Sequence, residues 1–477
     1  MKIHSSIWLL GIICNCFIFF SCEKQNQRRP NIVFLLADDL GYNELGAYGQ
    51  KIIKTPNLDK LAKQSMRFTD FYAGNSVCAP SRAVLLTGVS STYVPIRGNA
   101  GYFGKDDWSP TWLESETFTL GELFKSAGYQ SAFVGKWHLD NPDDISTWAY
   151  SHSFDFAAQE QWTHRKSKRN FSKSGLWLNG DQNHFPYDFN KHECKDAFYT
   201  NFAINFLENK KADKPFFLFM SYRAPHSFEG PIRDTLEYAK KTWPKVEQAQ
   251  AAKITLQDKQ VGRLIDYLQS IGEMDNTILM YTSDNGAHFA ADERGHQLEF
   301  FDSNGPLKGG KRDLYEGGVR VPLLVCWKDK IKPGSVTNHI SAFQDLMPTF
   351  AEIIGAEKPE QSNGISFLPT LQGKTQKKHE YLNWEFQLSG WFQPLPDGGF
   401  RQSVRIGQWK GVRYGIESKI ELYDLNNDES ETNDLSDEHP EIIARITEIF
   451  QSSRNQAPAF PYGGIVQDHI SMHRSTN

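Results

Sequence analysis

Four places in this 477-residue chain set carboxylates, amides, lysines or histidines directly after a short apolar run. Ile32 to Ala37 runs into Asp38-Asp39, and Ser131 to Val134 into Gly135-Lys136-Trp137-His138. Phe216 to Tyr222 leads to Pro225-His226, and Thr277 to Thr282 runs into Ser283-Asp284-Asn285-Gly286. Adjacent carboxylates repel unless a cation lies between them, and hard divalent cations take oxygen ligands. Asp38, Asp39, Asp284 and Asn285 are therefore a candidate metal set. Each pair alone also fits a polar turn before glycine, so the argument rests on two pairs at two strand ends. The sharpest local feature is Cys78-Ala79-Pro80-Ser81-Arg82, which opens a predicted helix with proline in its first turn. By residue type, Cys78 is either a thiolate activated near a helix N-terminus or a buried structural thiol.

These groups need elements to hold them. Continuous apolar runs, as opposed to alternating ones, indicate strands covered on both faces, hence a large, mostly parallel α/β sheet flanked by helices. Ligands in such sheets bind beyond the carboxyl ends of the strands, so four chemistry-bearing strand ends converge on one composite site. Helices are predicted over Asn57–Met66, Thr119–Ser126 and Thr255–Ile271. Residues 140–195, rich in Asn, Asp, His, Trp and Ser, read as an irregular insertion of the kind that contacts substrate. Beyond a boundary near 370–380, the runs at 381–386, 403–406, 409–414 and 421–425 predict a small antiparallel sheet, with a helix over 441–451 packed on it. The expected division is 1–21 as signal peptide, 22–29 as tether, 30–375 as catalytic domain and 376–477 as a C-terminal α+β subdomain.

Composition narrows the class. Net charge is −5, which argues against nucleic acid, whose partners usually carry a basic face. An anionic substrate would need a local cationic pocket instead. Lys2 followed by the apolar run Ile7 to Phe20 is too short for a membrane span and suits a signal peptide. Ser21-Cys22 after that run reads as a bacterial lipoprotein cleavage site, with Cys22 lipidated; the alternative is a plain secretory peptide cleaved nearby. Either way the chain is expected to be exported, to the periplasm or lipid-anchored at a bacterial membrane or cell surface. Of the six cysteines, Cys194 and Cys326 are expected as buried free thiols, so no disulfide framework is present.

The segment Cys78-Ala79-Pro80-Ser81-Arg82, followed by Leu85-Leu86-Thr87-Gly88, resembles the signature of type I sulfatases of the alkaline phosphatase superfamily. The likeness extends to Asp38-Asp39, Thr55-Pro56-Asn57-Leu58-Asp59, Gly135-Lys136-Trp137-His138, Pro225-His226, Asp284-Asn285-Gly286 and Lys311 with Tyr315 to Pro322. It implies that a maturation enzyme oxidises Cys78 to formylglycine, whose hydrate attacks sulfur with one hydroxyl and uses the second to release sulfate. It implies a divalent cation, Ca²⁺ in preference to Mg²⁺, held by Asp38, Asp39, Asp284, Asn285 and residue 78. Arg82 would hold the hydrate oxygens, and Lys136 and Lys311 would neutralise charge on the sulfuryl group. His138 would take the second hydroxyl's proton, and His226 would protonate the leaving oxygen. Lys308 competes with Lys311 for its role and is set aside on its spacing to Tyr315-Glu316-Gly317-Gly318.

The resemblance implies a sulfuric ester hydrolase acting on a sulfated mono-, oligo- or polysaccharide. Its rivals are an alkaline-phosphatase-like phosphodiesterase or phosphonate hydrolase, and an inactive sulfoglycan-binding lipoprotein. Arg97-Gly98-Asn99, His152, Trp162, His164 and His184 are candidates for lining a sugar site, with Lys136, His226, Lys311 and Arg97 as the substrate-binding set.

Overall fold

The apolar runs become the centre of a ten-stranded sheet. The structure is a computed structural model that describes residues 28–466, apart from 106, 161–174, 181–182, 227–231, 290–294, 391–394 and 396. The signal peptide, Cys22, Trp162 and His164 lie outside the described residues. In chain order the strands are β1 (Asn31–Asp38), β2 (Met66–Phe68), β3 (Gln130–Lys136), β4 (Phe156–Glu160), β5 (Gly175–Leu178), β6 (Asn183–Pro186), β7 (Phe216–Pro225), β8 (Thr277–Ser283), β9 (Leu323–Trp327) and β10 (Val336–Thr337). Their spatial order is β10-β2-β9-β8-β1-β7-β3-β4-β5-β6. The five central strands β8, β1, β7, β3 and β4 are parallel, so their chemistry-bearing ends all point one way.

Both faces of β1 are buried, which explains its unbroken apolar sequence. The helices in chain order are α1 (Pro56–Ala62), α2 (Cys78–Thr87), α3 (Leu120–Ser126), α4 (Lys195–Asn209), α5 (Lys245–Ser270) and α6 (Leu346–Ile354). Ile32, Phe34 and Leu36 pack with residues of α2, α3 and α6. Val33, Leu35 and Ala37 pack with residues of α1, α4 and α5. The period of two along one strand thus feeds two separate cores. Helix α3 begins at a capping box between Thr119 and Glu122, the local reason it starts there.

Three expectations need correction. Helix α1 stops at Ala62, and Met66, expected at its end, opens β2 instead. Helix α5 begins at Lys245, ten residues earlier than expected, because Gln248, Gln250 and Gln257 are buried on it and hide its apolar stripe. Residues 140–195 are not uniformly irregular, since β4, β5 and β6 extend the sheet there. Trp177 and His184 face each other across β5 and β6 with ring centroids 4.7 Å apart, a cross-strand pair instead of a free loop.

The C-terminal strands β11 (Leu382–Gln387), β12 (Phe400–Ile406), β13 (Trp409–Tyr414) and β14 (Glu421–Asp424) form an antiparallel meander. Helix α7 (Pro440–Ser452) places Ile446, Ile449 and Phe450 against Val404 and Leu422. The opposite side of β11 presses Leu382, Trp384 and Phe386 onto Tyr72 and Val77, in the segment leading to Cys78. The Trp384 indole donates to the Ala73 carbonyl at 3.0 Å. Cys194 and Cys326 are buried free thiols.

Candidate active site

Four adjacent strands deliver the site. β8 ends at Asp284-Asn285, β1 at Asp38-Asp39, β7 at Pro225-His226, and β3 at Lys136. Helix α2 supplies Cys78 at its first position and Arg82 one turn later, with Val77 extended ahead of it and Gly88 closing it in the left-handed region. All ten residues of α2 are buried.

Close approach explains two glycines. A Cβ on Gly135 would fall 1.9 Å from the Ser221 carbonyl of β7, and the residue sits at φ 111. A Cβ on Gly286 would fall 1.8 Å from the Gly317 carbonyl. That contact, with Lys311 N donating to Ala287 O at 2.9 Å, brings the Lys311 segment over the end of β8. Asp39 (φ 71), His138 (φ 63) and Arg312 (φ 83) adopt the left-handed region without being glycine. Such conformations cost free energy and cluster at functional sites.

The carboxylates are tightly held. Asp38 takes Lys136 Nζ on both oxygens at 2.8 Å and Arg223 Nη1 at 2.9 Å. Asp39 takes Lys311 Nζ at 2.7 Å and Asn285 Nδ2 at 2.8 Å, and its own amide donates to Asp284 at 3.0 Å. Arg82 clasps Asp284 with Nε and Nη2, both at 2.9 Å, and donates Nη1 to the Lys136 carbonyl and Ser221 Oγ. Cys78 Sγ lies 3.5 Å from Asp38, 3.7 Å from Asp39 and 3.4 Å from Lys311 Nζ.

Burial and charge compete at each group. Burial pushes the Asp38 carboxyl up, but Lys136, His226, Arg223 and Arg82 together hold it well below the usual carboxylate range. Asp39 is also lowered, with Lys311 as the main charge opposing burial. Asp284 is raised to about 6, because burial and Asp38 outweigh Arg82. Burial pushes the Cys78 thiol up to about 12 against the pull of Lys136 and Lys311. Burial thus disfavours the thiolate of an unmodified Cys78.

The residues present fit a divalent cation. Asn285 Oδ1 is buried and has no hydrogen-bond partner among the described residues, beside three carboxylates. Donor atoms of Asp38, Asp39, Cys78 and His226 lie within 4.8 Å of one another. The oxygen-rich set suits a hard cation such as Ca²⁺ or Mg²⁺.

Most sequence-chosen residues meet here. Lys311 reaches Asp39 and Cys78, whereas Lys308 lies against Tyr315 and Tyr423 and donates to Tyr423 OH at 3.2 Å. His226 Nε2 is 3.6 Å from Asp39, and His138 lies two residues past Lys136 on the same strand end. Asn99 Oδ1 accepts from the Ala79 amide at 3.0 Å and so braces the start of α2. Arg97 is a correction, because it is fully buried, ion-paired with Glu385 and bonded to the carbonyls of Thr92, Val94 and Asn455. It ties β11 to the large domain and presents no surface to a sugar. His152 is likewise fully buried, against Trp137. Trp177 holds the His184 ring.

Two charged residues were missed. Arg223, buried on β7, pairs with Asp38 at 2.9 Å and Glu160 at 3.5 Å. Glu160 ends β4, pairs with Lys195 at 2.8 Å, and is lowered to about 2, Arg223 and Lys195 overcoming burial. A charge inside an otherwise apolar strand was the available signal for Arg223, since a buried charge is tolerated only when paired.

The sequence profile of the sulfatase family matches residues 30–356, and that of the N-sulphoglucosamine sulphohydrolase C-terminal region matches 309–456. The chain is 30% identical to N-acetylgalactosamine-6-sulfatase of Homo sapiens, over 91% of this chain and 87% of that protein. It is 28% identical to N-acetylgalactosamine-6-O-sulfatase of Bacteroides thetaiotaomicron, over 91% of this chain and 94% of that one. Among solved structures it is similar to Ps i-CgsB, with a TM-score of 0.76 and 26% identity over 90% of this chain and 94% of that one. The same protein has been solved in complex with k-i-k-neocarrahexaose, and that structure aligns with a TM-score of 0.75 at 25% identity, over 90% and 94% of the two chains.

Proposed function

This chain belongs to the sulfatase family, and from that premise we propose that it removes sulfate esters from a carbohydrate, with residue 78 acting as formylglycine. The observation that carries the reading is the meeting of four parallel strand ends around Cys78, with three carboxylates and four buried cations in contact. Relatives that carry N-acetylgalactosamine-6-sulfatase activity in their names make a 6-sulfated N-acetylgalactosamine the first sugar to test.

Asp38, Asp39, Asp284 and Asn285 would hold the cation. Bound there, it would lower the pKa of the residue 78 hydrate and polarise the sulfuryl group. Formylglycine would supply one hydroxyl to attack sulfur and a second to release sulfate, which a plain serine or cysteine lacks. The chain's own residues do the rest. Lys136 and Lys311 stand beside Asp38, Asp39 and residue 78, where they neutralise charge on the sulfuryl oxygens. Arg82 fixes Asp284 and, from α2, the position of residue 78. Burial, with help from Lys311, Arg223 and Lys136, holds His226 well below its usual value despite Asp38. An anionic ester in the pocket raises it again and prepares the ring to protonate the leaving oxygen. His138 is the base for the second hydroxyl.

Export rests on residues 1–21 and lipidation on Cys22. The test of the chemistry is mass spectrometry of the tryptic peptide Phe68–Arg82, from protein made with a maturation enzyme, alongside turnover of an aryl sulfate. An aldehyde at position 78 with turnover is expected. Full activity with an unmodified thiol would overturn the mechanism, and faster hydrolysis of an aryl phosphate diester would overturn the reaction class.

A further inference from the structure

Helix α2 has two ends, and only the N-terminal one belongs to the site above. Nine residues along, at Thr87, roughly 14 Å away at the helical rise, it meets a second cavity of about 970 Å³. The cavity lies where the large domain, through residues 87–95, 113–118 and 344–363, faces the start of β11. Its size falls within the range of small-ligand sites.

Its chemistry is the reverse of the catalytic pocket's. Neither Lys nor Arg lines it among the described residues, and its His379 is paired with Asp345 at 2.9 Å. The carboxamides of Gln344, Gln361, Asn363 and Asn383 line it instead, and Glu116 supplies a carboxylate. Tyr93, Phe118 and Tyr381 contribute half-buried rings. Gln344 is 7% exposed, and among the described residues no hydrogen bond from its carboxamide to the protein is found. Such a carboxamide offers two N–H donors and one acceptor oxygen to what enters the cavity. Planar amides matched to paired hydroxyls, with aromatic faces for the C–H surface of a ring, recognise uncharged sugar. A sulfated or carboxylated sugar finds no counter-ion there.

We propose that this cavity is a second glycan site, for an uncharged stretch of oligosaccharide. The stretch is part of the substrate chain whose sulfated residue sits at position 78, or a separate desulfated chain. Binding itself does not depend on the sulfatase reading.

The test is calorimetric titration of the full chain with an uncharged N-acetyllactosamine tetrasaccharide. Saturable binding is expected in Cys78→Ala as in the wild type, weakened at least tenfold by Gln344→Ala. Gln361→Arg, at an exposed position where folding is not at risk, is expected to weaken it equally by placing bulk and charge at the rim. No saturable binding up to 10 mM, on the order of the weakest specific affinities, would overturn the proposal. So would binding that survives both substitutions, or binding lost in Cys78→Ala. To separate the two sources, KM is compared for a sulfated monosaccharide and a long sulfated chain in Gln361→Arg. A rise confined to the long chain identifies the substrate's own remote stretch, and no difference identifies a separate chain.

Discussion

Arg223→Met tests whether the buried charges of this site are mutually dependent. The substitution keeps an unbranched apolar stem but deletes a guanidinium that is 5% exposed and serves two carboxylates, Asp38 at 2.9 Å and Glu160 at 3.5 Å. Breaking a buried pair by removing one partner costs about 3–5 kcal/mol, because the other charge is stranded. Neither carboxylate is wholly stranded here. Asp38 keeps Lys136 at 2.8 Å, and Glu160 keeps Lys195 at 2.8 Å. The expected loss is therefore at the lower end, about 3 kcal/mol. An unfolding entropy of about 2 cal/mol/K per residue makes 1 kcal/mol worth roughly 1 °C in a chain of this length, so Tm should fall by about 3 °C in scanning calorimetry. The double variant Arg223→Met/Glu160→Gln removes one of the two charges left behind and should recover part of that loss. A single variant with the wild-type Tm would refute the reasoning, as would a double variant less stable than the single one.

Lys311→Met should lower kcat by about 10²- to 10³-fold, the usual effect of deleting one donor to developing negative charge. Lys308→Met, placed against Tyr315 and Tyr423, should leave kcat within about threefold, and equal losses in the two would refute the assignment. Dialysis against a chelator should abolish turnover, Ca²⁺ should restore it, and loss of a cation present at 100 times its Kd should remove about 2.7 kcal/mol of stability. Retained activity after chelation would rule out the metal assignment. Burial, and then Glu316, raise the buried Glu431 carboxyl to about 8 against Lys410. A folded-state value above the unfolded one gives stability that is full below pH 4.5 and lost as pH rises through 8. Glu431→Gln should therefore gain on the wild type, by on the order of a few kcal/mol, between pH 5 and pH 9 in urea unfolding. An unchanged difference across that range would contradict it.

The site was legible wherever a residue ends an apolar run. Asp38, Lys136, His226 and Asp284 each close a buried strand, and parallel strands bring such ends together without any further information. Arg223 was hidden because it stands inside a run, and its partner Glu160 because β4 is short and followed by polar chain. Arg97 could not be read correctly from local sequence. Whether an arginine faces a ligand or a buried carboxylate depends here on Glu385, which lies 288 positions away. The choice between Lys308 and Lys311 likewise turns on backbone beyond the motif, where Lys311 N bonds to Ala287 O. Residues 140–195 were misread because β5 and β6 present half-exposed side chains and carry no long apolar run.

The complete burial of helix α2 bears on when Cys78 could be oxidised, if residue 78 acts as the formylglycine proposed above. On that reading, an enzyme that oxidises Cys78 would have to reach it before folding, because in the folded protein residues 78–82 are all covered and Cys78 has no exposed surface. Strand β11 packs on the segment that leads into Cys78, and the Trp384 indole holds the Ala73 carbonyl. Oxidation would then precede folding, and β11, which starts some 300 residues after Cys78, is made well after residues 78–82. A molecule that folded first would, on the same reading, keep the buried thiol at position 78. The active fraction of a preparation would accordingly be set during synthesis, and treating the folded thiol form with the enzyme is expected not to raise it.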